Sequence, residues 1–155
     1  MKRICSSRLA LLLCLVPLAL PACGSGAIDN PAALAEALAD NTEMYSTEIY
    51  PLDESLLAQT FGVTAAYTAA YGYATAGDAA DEIAVFVAAD EAGAKTILTQ
   101  LQTHQTDFSA LYATYAADQC PRIEGALLQR VGTVVVWCIS NDTAKAETIV
   151  KNYTK

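Results

Sequence analysis

The longest regular hydrophobic pattern in the chain lies between residues 90 and 115. Apolar residues recur there at steps of three and four, the period of an amphipathic helix: Ala94, Ile97, Leu98, Leu101, Phe108, Leu111, Tyr112 and Tyr115. Asp90 can cap the start of this helix, and Cys120-Pro121 is expected to end the segment. The pattern therefore predicts one long helix with a single buried face.

Two pairs of strands are predicted on either side of this helix. The run from Ile83 to Val87 is typical of a buried strand, and residues 64–76, rich in Tyr and Thr, are its expected antiparallel neighbour. Residues 126–140 contain two apolar runs that flank Gly132, which indicates a second hairpin.

Three shorter helices follow from residues that can cap a first turn. They are predicted over about 31–40, 54–61 and 142–152, with residues 44–50 left unassigned. The capping residues are Asn30 followed by Pro31, then Asp53, and then Asn141 or Asp142. The element order ααββαββα indicates an α+β fold, with a single antiparallel sheet of about four strands and helices packed on it.

The first 22 residues have the pattern of an export signal. Lys2, Arg3 and Arg8 precede an apolar run from Leu9 to Leu20. Those 12 residues are too few to cross a hydrocarbon core, which needs about 20. We therefore predict a signal peptide at 1–22, a tether at 23–29 and a single domain at 30–155.

The residues at the predicted cleavage point resemble the lipobox of bacterial lipoproteins. Leu20-Pro21-Ala22-Cys23-Gly24 places a small residue directly before Cys23. The resemblance implies that Cys23 carries diacylglycerol and becomes the first residue of the mature protein. Two acyl chains anchor a protein stably, so the expected location is the cell membrane, facing outside the cytoplasm.

Charge narrows the range of partners. The signal holds three of the nine basic residues and none of the 17 acidic ones, so the mature chain would carry a net charge of −11. Nucleic acids and anionic headgroups both require basic patches. We therefore predict no nucleic-acid partner, a membrane contact through the lipid anchor, and a protein, glycan or small-molecule partner of unknown identity.

The chain has five cysteines, of which Cys5 and Cys14 would leave with the signal. Cys120 and Cys138 would then remain in an exported domain, where disulfides persist. They are a candidate disulfide; the alternative is two separate buried thiols, since Cys138 lies in an apolar run. With one His and no third domain cysteine, a zinc site is not expected, and no cofactor is predicted.

Candidate chemistry is sparse. Asp78, Asp81 and Glu82 cluster before a predicted strand, and a hydrolase would need two such carboxylates to converge in a cleft. Ordinary turn solvation and capping explain the cluster equally well. His104 lies at the edge of the apolar face of the long helix, where a boundary residue is expected. An enzyme is not favoured.

Tyrosines form the other notable pattern. On a regular strand Tyr67, Tyr71 and Tyr73 would share one face, since side chains alternate with period two. Such a stripe can bind a glycan or a peptide, or it can pack under helices. Trp137, between Val135 and Ile139, is expected in the core.

Several short motifs together resemble a family of small clostridial-type lipoproteins, catalogued as domain of unknown function 4358. They are Tyr50-Pro51-Leu52-Asp53, Phe61-Gly62, the segment from Ala80 to Phe86, and the hairpin around Gly132. The resemblance covers about residues 40–150. It implies a surface lipoprotein and assigns no activity. The expected function is a non-enzymatic binding or accessory domain; the alternatives are a surface hydrolase and a structural part of an envelope assembly.

Overall fold

Five strands form one open antiparallel sheet in the order β1-β2-β3-β5-β4. The computed structural model describes residues 26–155, so the predicted signal peptide and Cys23 lie outside the described residues. The strands are β1 (Ile49–Pro51), β2 (Tyr67–Thr75), β3 (Glu82–Ala88), β4 (Leu127–Val131) and β5 (Val134–Ile139). The predicted α+β class is confirmed, with one strand more than the four expected.

The additional strand, β1, lies in the stretch that the hydrophobic pattern left unassigned. It is three residues long and pairs with the outer side of β2, with Tyr50 opposite Ala74. So short an edge strand is formed only by its pairing with a neighbour. Its own residues therefore show little of the sequence pattern that predicts a strand.

Helices cover both faces of the sheet. They are α1 (Pro31–Asp40), α2 (Glu54–Thr60), α3 (Glu91–Tyr112), α4 (Cys120–Glu124) and α5 (Thr143–Asn152). Helices α2, α3 and α4 pack on one face, around Phe86 and Trp137. Helices α1 and α5 pack on the other face, around Val85 and Val136. Alternate residues of β3 and β5 therefore supply two separate cores.

Capping residues fix the helix starts as predicted. The side chains of Asn30, Asp53, Asp90 and Asp142 each accept a hydrogen bond from a backbone N–H in the first turn. Helix α4 was not predicted, because Cys120-Pro121 was expected to end a segment. Proline is also favoured in the first turn of a helix, where its missing N–H is not needed, and here it begins one.

The folded domain includes residues that were expected to belong to the tether. Ile28 is buried and forms a β-bridge with Thr154. Ala27 and Lys155 exchange backbone hydrogen bonds. The first described residues are therefore fastened to the last ones, beside the β4–β5 turn.

Candidate functional site

Helix α3 covers a buried polar cluster on β3 and β5. Trp137 Nε1 donates a hydrogen bond to Glu82 Oε2 at 3.2 Å, and His104 Nε2 lies 3.1 Å from the same oxygen. Glu82 is 6% exposed and Trp137 is fully buried. The pairing of β3 with β5 brings Glu82 beside Ile139, two residues beyond Trp137 on the same face. The carboxylate thus satisfies two polar groups of the core.

Aromatic rings enclose the imidazole of His104. Phe108 stacks on it with ring centroids 5.2 Å apart. Phe61 and Trp137 meet it edge-on, at 5.4 Å and 5.7 Å. His104 therefore lies at the edge of the core with 12% of its side chain exposed, and the prediction of a boundary residue is confirmed.

A shallow cavity of about 350 Å³ opens over the exposed edge of His104. Its lining is polar and comes from α3 and the end of α2, and it includes Gln59, Gln100 and Asp107. Gln100 is already engaged: its amide holds Thr64 through the backbone N–H and the hydroxyl. The cavity therefore presents an imidazole edge and one free-standing carboxylate, that of Asp107.

The acidic cluster does not form a cleft. Asp78 is exposed in the β2–β3 turn. Asp81 is fully buried; it pairs with Arg122 and accepts a hydrogen bond from the backbone N–H of Ser46 at 3.0 Å. Glu82 serves the core cluster just described. Because each carboxylate has different surroundings, the structure does not bring two of them together as paired hydrolytic acids.

The candidate disulfide between Cys120 and Cys138 is wrong, since both thiols are free. Cys138 is fully buried on the α1 face of the sheet, with its sulfur 3.8 Å from the Tyr45 hydroxyl. Cys120 lies at the start of α4 on the opposite face, where its thiol donates to the Ser109 carbonyl at 3.5 Å. The sheet separates them, and burial raises the pKa of the Cys138 thiol to about 12.

The predicted tyrosine stripe is broken. Tyr71 and Tyr73 pack at the edge of the α1 face, but Tyr67 packs on the α3 face, with its ring 5.3 Å from that of Phe86. The β2–β3 register shifts between Tyr67 and Ala69, and a bulge of this kind reverses the facing of residues on either side. The three tyrosines therefore cannot form one ligand-binding surface.

A wide, open groove of about 750 Å³ lies between α3 and α4. Three exposed alanines, Ala110, Ala113 and Ala117, contribute apolar surface to its lining. Its wall is held by a hydrogen bond from Ser109 to the Glu124 carboxylate at 3.2 Å. Elsewhere in this part of the molecule, Leu111 and Tyr115 are about half exposed. We call this feature the α3–α4 groove.

Within residues 26–155, no three His, Cys, Asp or Glu side chains come together as a metal site. None of the helices in this part of the chain is long and apolar enough to cross a membrane.

No family model matches the chain, and neither a curated protein nor a solved structure was found that matches it. The resemblance of residues 40–150 to the clostridial-type lipoproteins therefore stays a prediction.

The cluster of Glu82, His104 and Trp137 was missed at the sequence level. Its members are 22 and 33 residues apart along the chain, so local spacing holds no sign of it. The available signals in the sequence were Glu82, a polar residue at the first position of an otherwise apolar strand, and His104, at the edge of the apolar face of the long helix. Only the packing of α3 on the sheet joins them.

Proposed function

We propose that the protein is an exported lipoprotein, anchored in the cell membrane through acylated Cys23, and that its domain acts outside the cytoplasm as a non-enzymatic binding or accessory module. One observation carries the proposal: a short apolar run ends in a lipobox-like sequence, and the folded domain follows within five residues, at buried Ile28. A lipid on Cys23 would thus hold the domain directly at the bilayer surface.

A binding role is favoured over catalysis because the residues suited to acid–base chemistry serve the fold. Asp81 is neutralised by Arg122, and Glu82 is bonded to both Trp137 and His104. A general acid or base has to reach its substrate, and these buried groups face other side chains of the protein.

The α3–α4 groove is the surface on which we place the binding role. Its open form and its exposed alanines suit a segment of a partner protein better than a small molecule, which is usually enclosed by its pocket. Ser109 and Gln105 at its wall already donate hydrogen bonds within the protein, and the acceptor oxygens of Gln105 and Glu124 that remain can receive hydrogen bonds from such a segment.

Metabolic labelling with palmitate tests the anchor. We expect label on the wild-type protein and on the control Cys120→Ala, and none on Cys23→Ala. An unlabelled wild-type protein, or a labelled Cys23→Ala variant, would overturn the lipoprotein assignment.

Thiol-directed cross-linking from Cys120 in intact cells tests the groove. We expect a protein adduct with the wild type and with Ala144→Arg, a matched control on α5 at the other face of the sheet. Ala113→Arg should abolish the adduct because the arginine side chain would occupy the groove. An adduct that survives Ala113→Arg, or a wild-type protein without one, would overturn this placement.

A further inference from the structure

The two ends of the sheet differ in their distance along the chain from Cys23, the residue proposed to carry the lipid. A Cβ added at Gly26 would lie 3.6 Å from a methyl group of Val131, and one added at Gly132 would lie 3.0 Å from the Gly26 carbonyl oxygen. Residues 26–29 therefore sit at the end of the sheet that carries the β4–β5 turn. We call this end, formed by residues 26–29, 88–91, 131–133 and 154–155, the proximal end.

Helix α3 starts at the proximal end and leads away from it. Ala88 donates its backbone N–H to the Thr133 carbonyl, and α3 begins three residues later. At its other end, the Tyr112 hydroxyl donates to the Ala79 carbonyl, just before β3 begins. The helix therefore runs back along the full length of β3, and its 22 residues span about 33 Å.

The covalent distance from the lipid to the fold is short. Cys23 and Gly26 are three residues apart, and three peptide units span at most about 11 Å in any conformation. That reach is about one third of the length of α3, so the anchor holds the proximal end at the bilayer and does not hold the far end of α3 there.

On this basis, and resting on the proposed lipid anchor, we propose that the proximal end faces the bilayer and that α3 points away from it. The α3–α4 groove, lined by residues of the last third of α3, is then displayed on the side farthest from the membrane.

The composition of the proximal end indicates that the linker, rather than adhesion, sets this orientation. The charged groups there are Asp90, Glu91 with the buried Arg130 at 4.0 Å, and the pair of Asp29 with Lys155, a set with more acid than base. The exposed large apolar side chains of the described chain are Tyr50, Leu56, Leu111 and Tyr115, and none belongs to the proximal end. This surface would neither insert into lipid nor attract anionic headgroups.

The test measures the depth of two exposed positions at opposite ends of β3. Ala89→Cys and Asp78→Cys are each made in a Cys120→Ser background, labelled with one fluorophore, and reconstituted as the lipidated protein. The vesicles are of phosphatidylcholine and phosphatidylglycerol and contain a lipid with a nitroxide on its headgroup. We expect loss of fluorescence from residue 89 and retained fluorescence from residue 78. Equal quenching, or stronger quenching at residue 78, would overturn the orientation.

A linker variant separates the two possible causes of the orientation. An insertion of about twelve Gly and Ser residues before Gly26 extends the reach to a root-mean-square distance of about 20 Å. The difference between residues 89 and 78 should then collapse. If it persists, adhesion sets the orientation and the linker argument is overturned.

Intact mass of each sample distinguishes failure of this inference from failure of the proposed function. Absence of lipid on Cys23 would overturn the lipoprotein assignment and the orientation with it. Lipid on Cys23 with equal quenching at both positions would overturn the orientation alone.

Discussion

The indole N–H of Trp137 donates to the carboxylate of Glu82 beneath α3, joining β5 to the first residue of β3. A buried carboxylate is costly unless its oxygens accept hydrogen bonds. Here the contact with Trp137 is supplemented by His104, so the three side chains depend on one another.

Glu82→Leu is expected to destabilise the domain by about 2 kcal/mol, because it leaves the Trp137 N–H and the Nε2 of His104 without their hydrogen-bond partner in the core. Glu82→Gln keeps an acceptor oxygen and should cost less. Urea unfolding followed by the fluorescence of Trp137, the only tryptophan in the protein, measures both. Equal losses for the two variants would contradict the role given to the carboxylate.

The pair of Asp81 and Arg122 is the second buried polar contact that can be tested. Arg122→Met should cost about 3 kcal/mol, since it leaves the fully buried Asp81 without its cation. The double variant Asp81→Asn with Arg122→Met should cost less than the sum of the two single changes. Lys145→Met, which breaks an exposed pair with Glu43, is the control and should change stability little. Additive costs in the double variant would argue against direct coupling.

The two thiols should differ in reactivity at neutral pH. Iodoacetamide is expected to modify Cys120 in the folded protein and to spare Cys138, which is fully buried and has a pKa of about 12. In denaturant both should react, as peptide mass spectrometry can show. A non-reduced peptide that joins residues 120 and 138 would refute the free-thiol arrangement.

Alkaline pH should destabilise the fold through Tyr45. Burial raises the pKa of this phenol well above 10, and its hydroxyl donates to the Leu38 carbonyl at 2.9 Å. The unfolded chain releases this proton near pH 10 while the folded protein retains it, so the stabilisation is complete below pH 10 and declines above it. Tyr45→Phe should lower stability at pH 7 by about 1 kcal/mol and reduce its decline above pH 10. If the stability of Tyr45→Phe declines above pH 10 as much as that of the wild type, groups other than Tyr45 cause the decline.

The close packing of α2 on β2 leaves little room for a side chain at Gly72. A Cβ there would collide with Leu57 and lie 3.2 Å from the Ile83 carbonyl oxygen. Gly72→Ala is therefore expected to cost about 1–3 kcal/mol. Gly77→Ala, in the exposed β2–β3 turn, would place its Cβ 3.8 Å from the Thr75 hydroxyl oxygen and should be close to neutral in thermal unfolding. Similar losses at both positions would mean that the contact with α2 is not the cause.

Local chemistry explains which elements could be predicted. The helix starts at Asn30, Asp53, Asp90 and Asp142 were predictable because a cap is made by residues within one turn of each other. The hairpin at Gly132 was predictable for a similar reason: its φ of +58° favours glycine.

Features that depend on distant partners were not predictable. Strand β1 requires β2 beside it, and the break in the tyrosine stripe requires a bulge that forms only against β3. The cysteines were considered as a pair because no sequence rule places them on opposite faces of a sheet. The α3–α4 groove likewise depends on α4, which begins at Cys120-Pro121, where the sequence pattern indicates the end of a segment.

The bridge between Ile28 and Thr154 has a practical consequence for work with this protein. An affinity tag or reporter joined after Lys155 would emerge next to residue 27 and compete with the backbone pairing there. The loop at Gly77 and Asp78, solvent-exposed and at the other pole of the molecule, is the better insertion point for such a fusion.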